Sequence, residues 1–307
     1  MRISEALATQ RPFFSFEFFP PRDDAGSRQL FASIEALAPL RPAFVSITYG
    51  AGGTTRARTV ALAKEIQQHT GLTVVAHVTC VGAARAELRE LFDDLARAGI
   101  ENVLALRGDP PPGASFVPVQ NGFAHASELI AMLRRNYGFC IGAACYPEKH
   151  VEAASFENDF KALEAKVEAG ADFLVSQLFF DNARYFAFAR QVQTRGIALP
   201  VLPGLMPITN FSQIQRFVAM CGATIPPKLH VEMQARKDDV KAVEDLGVAY
   251  AAMQASELLQ AGVPGIHFYT LNRSPATRAI VSALIAASAW RPAPRSVSND
   301  NTAVTTR

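Results

Sequence analysis

The chain has no block of like charge. Its 30 Lys and Arg are set against 28 Asp and Glu over 307 residues, for a formal net charge of +2. So even a balance leaves no electrostatic footprint for nucleic acid or for an anionic membrane surface. No apolar run reaches the length of a membrane-spanning helix. Met1 to Gln10 are mixed and polar, without the apolar core of a secretory signal. Cysteine is scarce. Cys80, Cys140, Cys145 and Cys221 form no C-x-x-C pair, and each lies in or beside an apolar segment. They read as buried free thiols of a cytoplasmic protein rather than as a metal or redox centre. H-x-H, H-E-x-x-H, G-x-S-x-G and Walker patterns are all missing, which sets aside zinc hydrolysis, the serine-hydrolase elbow and P-loop chemistry.

What is present is a regular alternation. Short apolar runs at Phe13–Phe19, Ala43–Thr48, Thr73–Thr79, Asn102–Leu106, Cys140–Cys145, Phe173–Gln177, Pro200–Pro203 and Gly265–Thr270 read as strands covered on both faces. Between them, Arg56–His69, Ala84–Ala98, Phe156–Ala169 and Asn182–Arg195 read as helices. Gly71, Gly99, Gly138, Gly170 and Gly196 each follow a helical stretch, where a left-handed cap is expected. Strand followed by helix, repeated with no linker or composition break, predicts a single-domain α/β fold, the (β/α)8 TIM barrel; a doubly wound sheet is the alternative. The long crossover from Pro203 to Gly265 has room for two or three helices, Asp239–Gln260 foremost. Residues 1–12 read as an N-terminal extension and 13–290 as the barrel. The Pro/Ser/Thr/Asn-rich residues 291–307 read as a disordered tail.

Within this pattern one carboxylate stands out. Glu17 lies in Phe13-Phe14-Ser15-Phe16-Glu17-Phe18-Phe19-Pro20-Pro21. Strand alternation puts Ser15, Glu17 and Phe19 on one face, and the prolines stop the strand just beyond it. A buried ionisable group is costly unless it works or is paired, and burial is one route to a general acid near neutral pH. An internal ion pair holding the fold is the competing reading. Other strands also turn polar at their C-terminal ends: Ser46, Thr48 and Tyr49; His77 and Thr79; Arg107-Gly108-Asp109; Tyr146 with Glu148, Lys149 and His150; Gln177; Tyr269, Asn272 and Arg273. Barrel active sites lie at that end, so this crown points to an enzyme or a ligand-binding barrel.

The loop Tyr49-Gly50-Ala51-Gly52-Gly53-Thr54-Thr55 can bring backbone N–H groups to a phosphate, or can simply cap a helix. Asp109-Pro110-Pro111-Pro112-Gly113 is stiff and is expected to fix the Asp109 carboxylate. Arg107 and Asp109 can also pair with each other on the rim. Lys149 is a candidate Schiff-base lysine for an aldolase-type barrel, although a polar loop does little to depress its pKa. With no metal pattern and no activated nucleophile, chemistry carried by an organic redox cofactor is the natural remaining class.

Several of these segments together resemble the bacterial methylenetetrahydrofolate reductases. They are Ser15 to Arg22, Phe44 to Ala51, Leu104 to Asp109, Ala144 to His150, Gln177 to Asp181 and His267 to Arg273, in order and each at a strand end, and the likeness runs from Phe13 to about Leu284. The resemblance implies a barrel holding non-covalent FAD, reduced by NADH or NADPH. The reduced flavin then passes hydride to 5,10-methylenetetrahydrofolate in a cytoplasmic homo-oligomer of one-carbon metabolism, with no nucleic-acid or membrane partner. It implies catalytic roles for Glu17, as the general acid, and for Asp109, as the carboxylate near flavin and folate. Gln177, Gln213, Phe217 and Arg273 join Asp109 on the substrate side. Thr48, Tyr49, His77, Leu106, Arg107, Gly108, Asp109, Ala126, Tyr146, His150, Asp159 and Lys166 match the FAD-binding set. His125 and Ala162 depart from side chains that some relatives place beside the cofactor. The chain stops soon after the barrel, so a regulatory domain for S-adenosylmethionine is not expected.

Overall fold

The computed structural model describes residues 1–9, 12–49, 56–110 and 115–288. The glycine-rich loop over 50–55, the core of the proline loop over 111–113 and the tail over 291–307 lie outside them. Helix α1 (Ile3–Thr9) opens the chain, which then alternates: β1 (Phe13–Phe18), α2 (Asp24–Leu37), β2 (Phe44–Ile47), α3 (Arg56–Thr70), β3 (Val74–Thr79), α4 (Arg85–Arg97), β4 (Asn102–Leu106), α5 (Ala126–Asn136), β5 (Cys140–Cys145), α6 (Phe156–Glu168), β6 (Phe173–Ser176) and α7 (Asn182–Thr194). The seventh strand comes in two pieces, β7 (Val201–Leu202) and β8 (Gly204–Leu205). Then follow α8 (Phe211–Cys221), α9 (Pro227–Ala235), α10 (Val240–Gln260), β9 (Gly265–Tyr269) and α11 (Pro275–Ala287).

The strand order is β7-β6-β5-β4-β3-β2-β1-β9-β8, with parallel pairing throughout. Its two ends are the two pieces of the seventh strand, so the ring closes through Pro203. Proline has no N–H to give the ladder, which breaks the expected strand Pro200–Pro203 at its last residue. The Pro203 carbonyl still accepts from His267 N at 3.0 Å. The expected single-domain TIM barrel is thus the observed architecture, and the long crossover holds three helices.

Alternation along β1 sorts the side chains as its sequence predicts. Phe14, Phe16 and Phe18 pack outward beneath the helices. Phe13 points inward, into a cluster with Phe44, Val75, Leu104, Cys140, Phe173 and Leu202. Ile3, Ala6 and Leu7 of α1 complete that inner cluster, and Asn102 Oδ1 accepts from Ile3 N at 2.9 Å. The N-terminal helix therefore seals the base of the barrel. The interior is crowded: a Cβ on Gly142 would meet Phe173 at 2.6 Å and Leu104 at 2.8 Å.

Two local readings need correction. Gly71, Gly99, Gly170 and Gly196 take the expected left-handed caps, but Gly138 has no positive φ. Helix α5 ends instead at Tyr137 in an extended conformation (φ −137°). Cys80, Cys140 and Cys145 are buried free thiols, whereas Cys221 is half-buried. Burial pushes the Cys80 and Cys145 thiols up to about 12, so neither is a poised nucleophile. Among the described residues no helix is long and apolar enough to cross a membrane, and no His/Cys/Asp/Glu group could hold a metal ion.

Candidate active site

Glu17 is in register with Ser46 on one side and Tyr269 on the other, and it is 7% exposed. Two histidines flank it. His267 Nε2 lies 3.3 Å from Glu17 Oε2, and His77 Nε2 lies 3.5 Å from the same oxygen. His267 is held from below, its Nδ1 2.8 Å from Ser15 Oγ. Burial lowers the His77 imidazole to about 4, outweighing the pull of the Glu17 carboxylate, so this ring is neutral at neutral pH. The turn after β9 fixes the end of β1. Thr270 Oγ1 donates to Glu17 O at 2.6 Å. Asn272 accepts from Phe19 N at 2.7 Å and donates to Phe19 O at 2.9 Å. This side-chain amide takes the place of a further strand pair. Leu271 and Asn272 both sit at positive φ (53° and 57°), a strain of the kind that persists at functional sites.

A second group lies across the crown, on the segments after β4 and β5 and on α6. Arg107 Nη1 and Nη2 both bond to Glu152, the latter at 2.9 Å. Its Nε donates to Gly108 O at 3.1 Å, and its guanidinium stacks on Phe116 at 4.7 Å. Asp109 is a looser partner at 3.8 Å, and its side chain is 88% exposed. The rim pair therefore exists, but Glu152 is the carboxylate that grips Arg107, and Asp109 is not held as firmly as its proline loop suggests. Gly108 is required twice over: its φ is +84°, and a Cβ there would meet Val81 at 2.6 Å. Tyr146 packs edge-on against His150 at 4.7 Å. Buried Lys166 donates to Ala144 O at 2.6 Å and stands 5.5 Å over the Tyr146 ring. Burial lowers its pKa, while the Asp159 carboxylate favours the ammonium. Burial likewise raises Asp159, and burial together with Arg107 lowers His150.

The group fits a polar, acceptor-rich cofactor. Ser46 Oγ, His77 Nε2 and Thr79 Oγ1 are buried with no hydrogen-bond partner, which is costly unless a bound molecule satisfies them. Arg107, His150 and Lys166 supply cationic or donor groups suited to pyrophosphate and ribose. Thr48 and Tyr49 follow β2 half-buried, Leu106 packs into the inner cluster, and Ala126 opens α5.

The substrate-side candidates come from three elements. Gln177, just past β6, turns its Oε1 back to accept from Leu178 N at 2.9 Å. Gln213 and Phe217 lie one turn apart on α8, which starts at the C-terminal end of the barrel behind an Asn210 cap. Phe217 and Tyr269 border the same apolar cluster under α8. Tyr269 OH donates to Ser176 O at 2.7 Å. Arg273 is exposed after the β9 turn. Lys149 places its ammonium on the His150 and Ala153 carbonyls, where it serves the loop rather than an open pocket.

Against known proteins, residues 2–285 match the family model described as Methylenetetrahydrofolate reductase. The chain belongs to the methylenetetrahydrofolate reductase family. It is 38% identical over 270 residues to 5,10-methylenetetrahydrofolate reductase of Escherichia coli, covering 88% of this chain and 90% of that one. The Salmonella typhimurium enzyme of the same name gives the same figures. Methylenetetrahydrofolate reductase (NADH) 1 of Zea mays is 36% identical over 283 residues, and there the match covers 88% of this chain but 48% of the relative. The chain thus spans about half the length of the plant relatives it matches. A solved structure from Clostridium thermocellum, described as an uncharacterized protein that binds two copies of 5-methyl-5,6,7,8-tetrahydrofolic acid, superposes with a TM-score of 0.60 at 13% identity, over 91% of this chain and 96% of that one. At that identity the likeness speaks for the fold.

For this member of the methylenetetrahydrofolate reductase family, sequence reasoning missed His267 as the partner of Glu17, Ser15 as the hydroxyl that holds His267, Glu152 as the partner of Arg107, and Asn272 as the clamp on Phe19. His267 was visible as the one imidazole inside the run Gly265–Thr270. Nothing in the loop sequence singled out Glu152.

Proposed function

We propose that the chain catalyses the reduction of 5,10-methylenetetrahydrofolate to 5-methyltetrahydrofolate, with FAD as the bound cofactor and NADH or NADPH as reductant. The observation that carries this reading is Glu17, 7% exposed at a strand end and flanked by His77 and His267. FAD, when bound, supplies the hydride acceptor and donor that link the nicotinamide to the folate. The protein does the rest. Glu17 holds a proton at its carboxyl and delivers it to the ring nitrogen that leaves as the folate's imidazolidine opens. Asp109 brings negative charge that favours the cationic iminium so produced, and the same charge makes the flavin harder to reduce. Gln177, Gln213 and Arg273 orient the substrates, and Phe217 stacks on whichever ring is bound. Arg107, His150 and Lys166 hold the cofactor's phosphates and ribose, aided by Thr48, Tyr49, His77, Leu106, Gly108, Ala126, Tyr146 and Asp159. The apolar walls of the mouth exclude water from the hydride path. By its family the reading extends to a homo-oligomer in the cytoplasm.

The decisive experiment is a visible spectrum of the purified protein, followed anaerobically by NADH or NADPH and then by methylenetetrahydrofolate. Flavin bands that bleach with nicotinamide and return with folate support both half-reactions, and the faster reductant identifies the nucleotide. A colourless protein that also fails to take up added FAD overturns the proposal.

A further inference from the structure

The loop after β5 and the end of α8 are joined by a contact that none of the roles above uses. The loop Tyr146-Pro147-Glu148-Lys149-His150 is folded tightly on itself. Lys149 takes a left-handed φ of 75°, Lys149 N donates to Tyr146 O at 3.2 Å, and Ala153 N donates to His150 O at 3.0 Å. With the Lys149 ammonium on the His150 and Ala153 carbonyls, the segment is a rigid platform for Tyr146 and His150. Helix α8 ends in a left-handed cap at Gly222 (φ 74°), whose N–H bonds to Val218 O. Two residues later Thr224 gives both of its donors to one carboxylate. Glu148 Oε1 accepts from Thr224 N at 3.1 Å, and Glu148 Oε2 accepts from Thr224 Oγ1. Beside this pair Val151 covers Gly222 so closely that a Cβ there would meet Val151 Cγ1 at 2.7 Å. The two segments are 76 residues apart in the chain.

From this we infer that Glu148 is a positioning residue for catalysis: it ties the loop bearing Tyr146 and His150 to the helix bearing Gln213 and Phe217, and so sets the width of the cleft in which both substrates bind. The inference rests on the reductase reading. A carboxylate suits the task because it offers two acceptors to an N–H and an O–H on the same residue. Glutamine keeps the pairing, since its oxygen can accept from Thr224 N while its amide donates to the Thr224 hydroxyl. Alanine leaves both Thr224 donors to water and unties α8. Because nicotinamide and folate use the same cleft in turn, loosening α8 weakens both, whereas the cofactor keeps its own loop.

The test compares the holoenzyme with Glu148→Gln and Glu148→Ala. Three readouts are taken: KM and kcat for NAD(P)H and methylenetetrahydrofolate, the FAD dissociation constant, and amide exchange over residues 211–225. Glu148→Ala is expected to raise both KM values on the order of tenfold. In the same variant kcat and FAD affinity stay within about threefold and exchange at the end of α8 speeds up, while Glu148→Gln stays close to the parent. If Glu148→Ala does not yield folded protein, Thr224→Val, which removes only the hydroxyl donor, is expected to give a smaller rise of the same kind. Unchanged KM values with faster exchange or a lower melting temperature would make Glu148 a structural strut alone and overturn the inference. So would a loss of FAD affinity as large as the rise in KM, or a Glu148→Gln variant as impaired as Glu148→Ala. A parent enzyme that takes up no FAD or turns over no folate fails the reductase reading instead, and is recognised before any variant is compared.

Discussion

His267 stands between Ser15 and Glu17, its Nδ1 2.8 Å from the Ser15 hydroxyl and its Nε2 3.3 Å from Glu17 Oε2. The chain of contacts runs inward, toward residues with no exposed surface, so it aims the carboxyl without opening it to water. Either protonation state of Glu17 is served. An ionised Glu17 accepts from Nε2–H while Ser15 donates to Nδ1; a protonated one donates to Nε2 while Nδ1–H donates to Ser15. The imidazole therefore orients the Glu17 carboxyl in either state.

Glu17→Gln keeps the shape and hydrogen bonding of this arrangement and removes the acid. Flavin reduction by NAD(P)H is expected to survive, and folate reduction to fall by about 10²–10⁴-fold. Stopped-flow measurement of the two half-reactions separates them. Folate turnover near the parent rate would show that another group protonates the leaving nitrogen.

His77 makes stability depend on acid. Its folded pKa of about 4 lies below the unfolded value of 6.5. Within that window the unfolded chain binds a proton that the native ring refuses, so stability is fully present above pH 6.5 and is lost as pH falls toward 4. The loss amounts to about 3 kcal/mol at the lower end. Melting temperatures recorded across this range for the parent and for His77→Asn should converge as the pH drops; parallel curves would contradict the buried neutral imidazole.

The Arg107–Glu152 pair predicts a salt-sensitive effect on cofactor affinity. Glu152 offsets charge that a pyrophosphate would otherwise meet, and its side chain is about half exposed. Glu152→Gln is expected to tighten FAD binding about two- to fivefold at low ionic strength, with the gain largely gone in 0.5 M salt as screening takes over (Debye length roughly 4–5 Å there). Flavin fluorescence quenching at two salt concentrations reads this directly. Weaker binding at both would mean that Glu152 serves mainly to hold Arg107 in place.

Helix α1 behaves as part of the barrel. Leu7 is 3% exposed in the cluster at the base, so Leu7→Ala should cost about 2–4 kcal/mol in urea unfolding. Well below the midpoint kcat/KM should be unchanged, because the base lies at the opposite end from the crown. A cost under about 0.5 kcal/mol would show that the helix only rests on the barrel.

Much of this architecture can be read before any coordinates. Asn102–Leu106 and Cys140–Cys145 are strands with the boundaries their apolar runs predict. A continuous apolar run flanked by turn residues has few other places to go. The seventh strand was harder to read, since its second piece, Gly204–Leu205, lies beyond a proline that looks like a terminator. Helix α1 was also missed, because a seven-residue stretch carries too little periodicity to separate a packed helix from an extension.

By itself the sequence determined the parallel barrel and the polar end of its strands. Both follow from local alternation, from burial on two faces and from turn chemistry, which act over a few residues at a time. Tertiary structure alone decided the partners. Ser15 and His267 are 252 residues apart and meet only because ring closure sets β1 beside β9 in a register that aligns them. Arg107 had an acidic neighbour two residues away in Asp109, yet it bonds to Glu152, 45 residues on. The loop after β5 folds back over the end of β4 and presents both carboxylate oxygens to the guanidinium fork, a geometry that outweighs proximity in the chain.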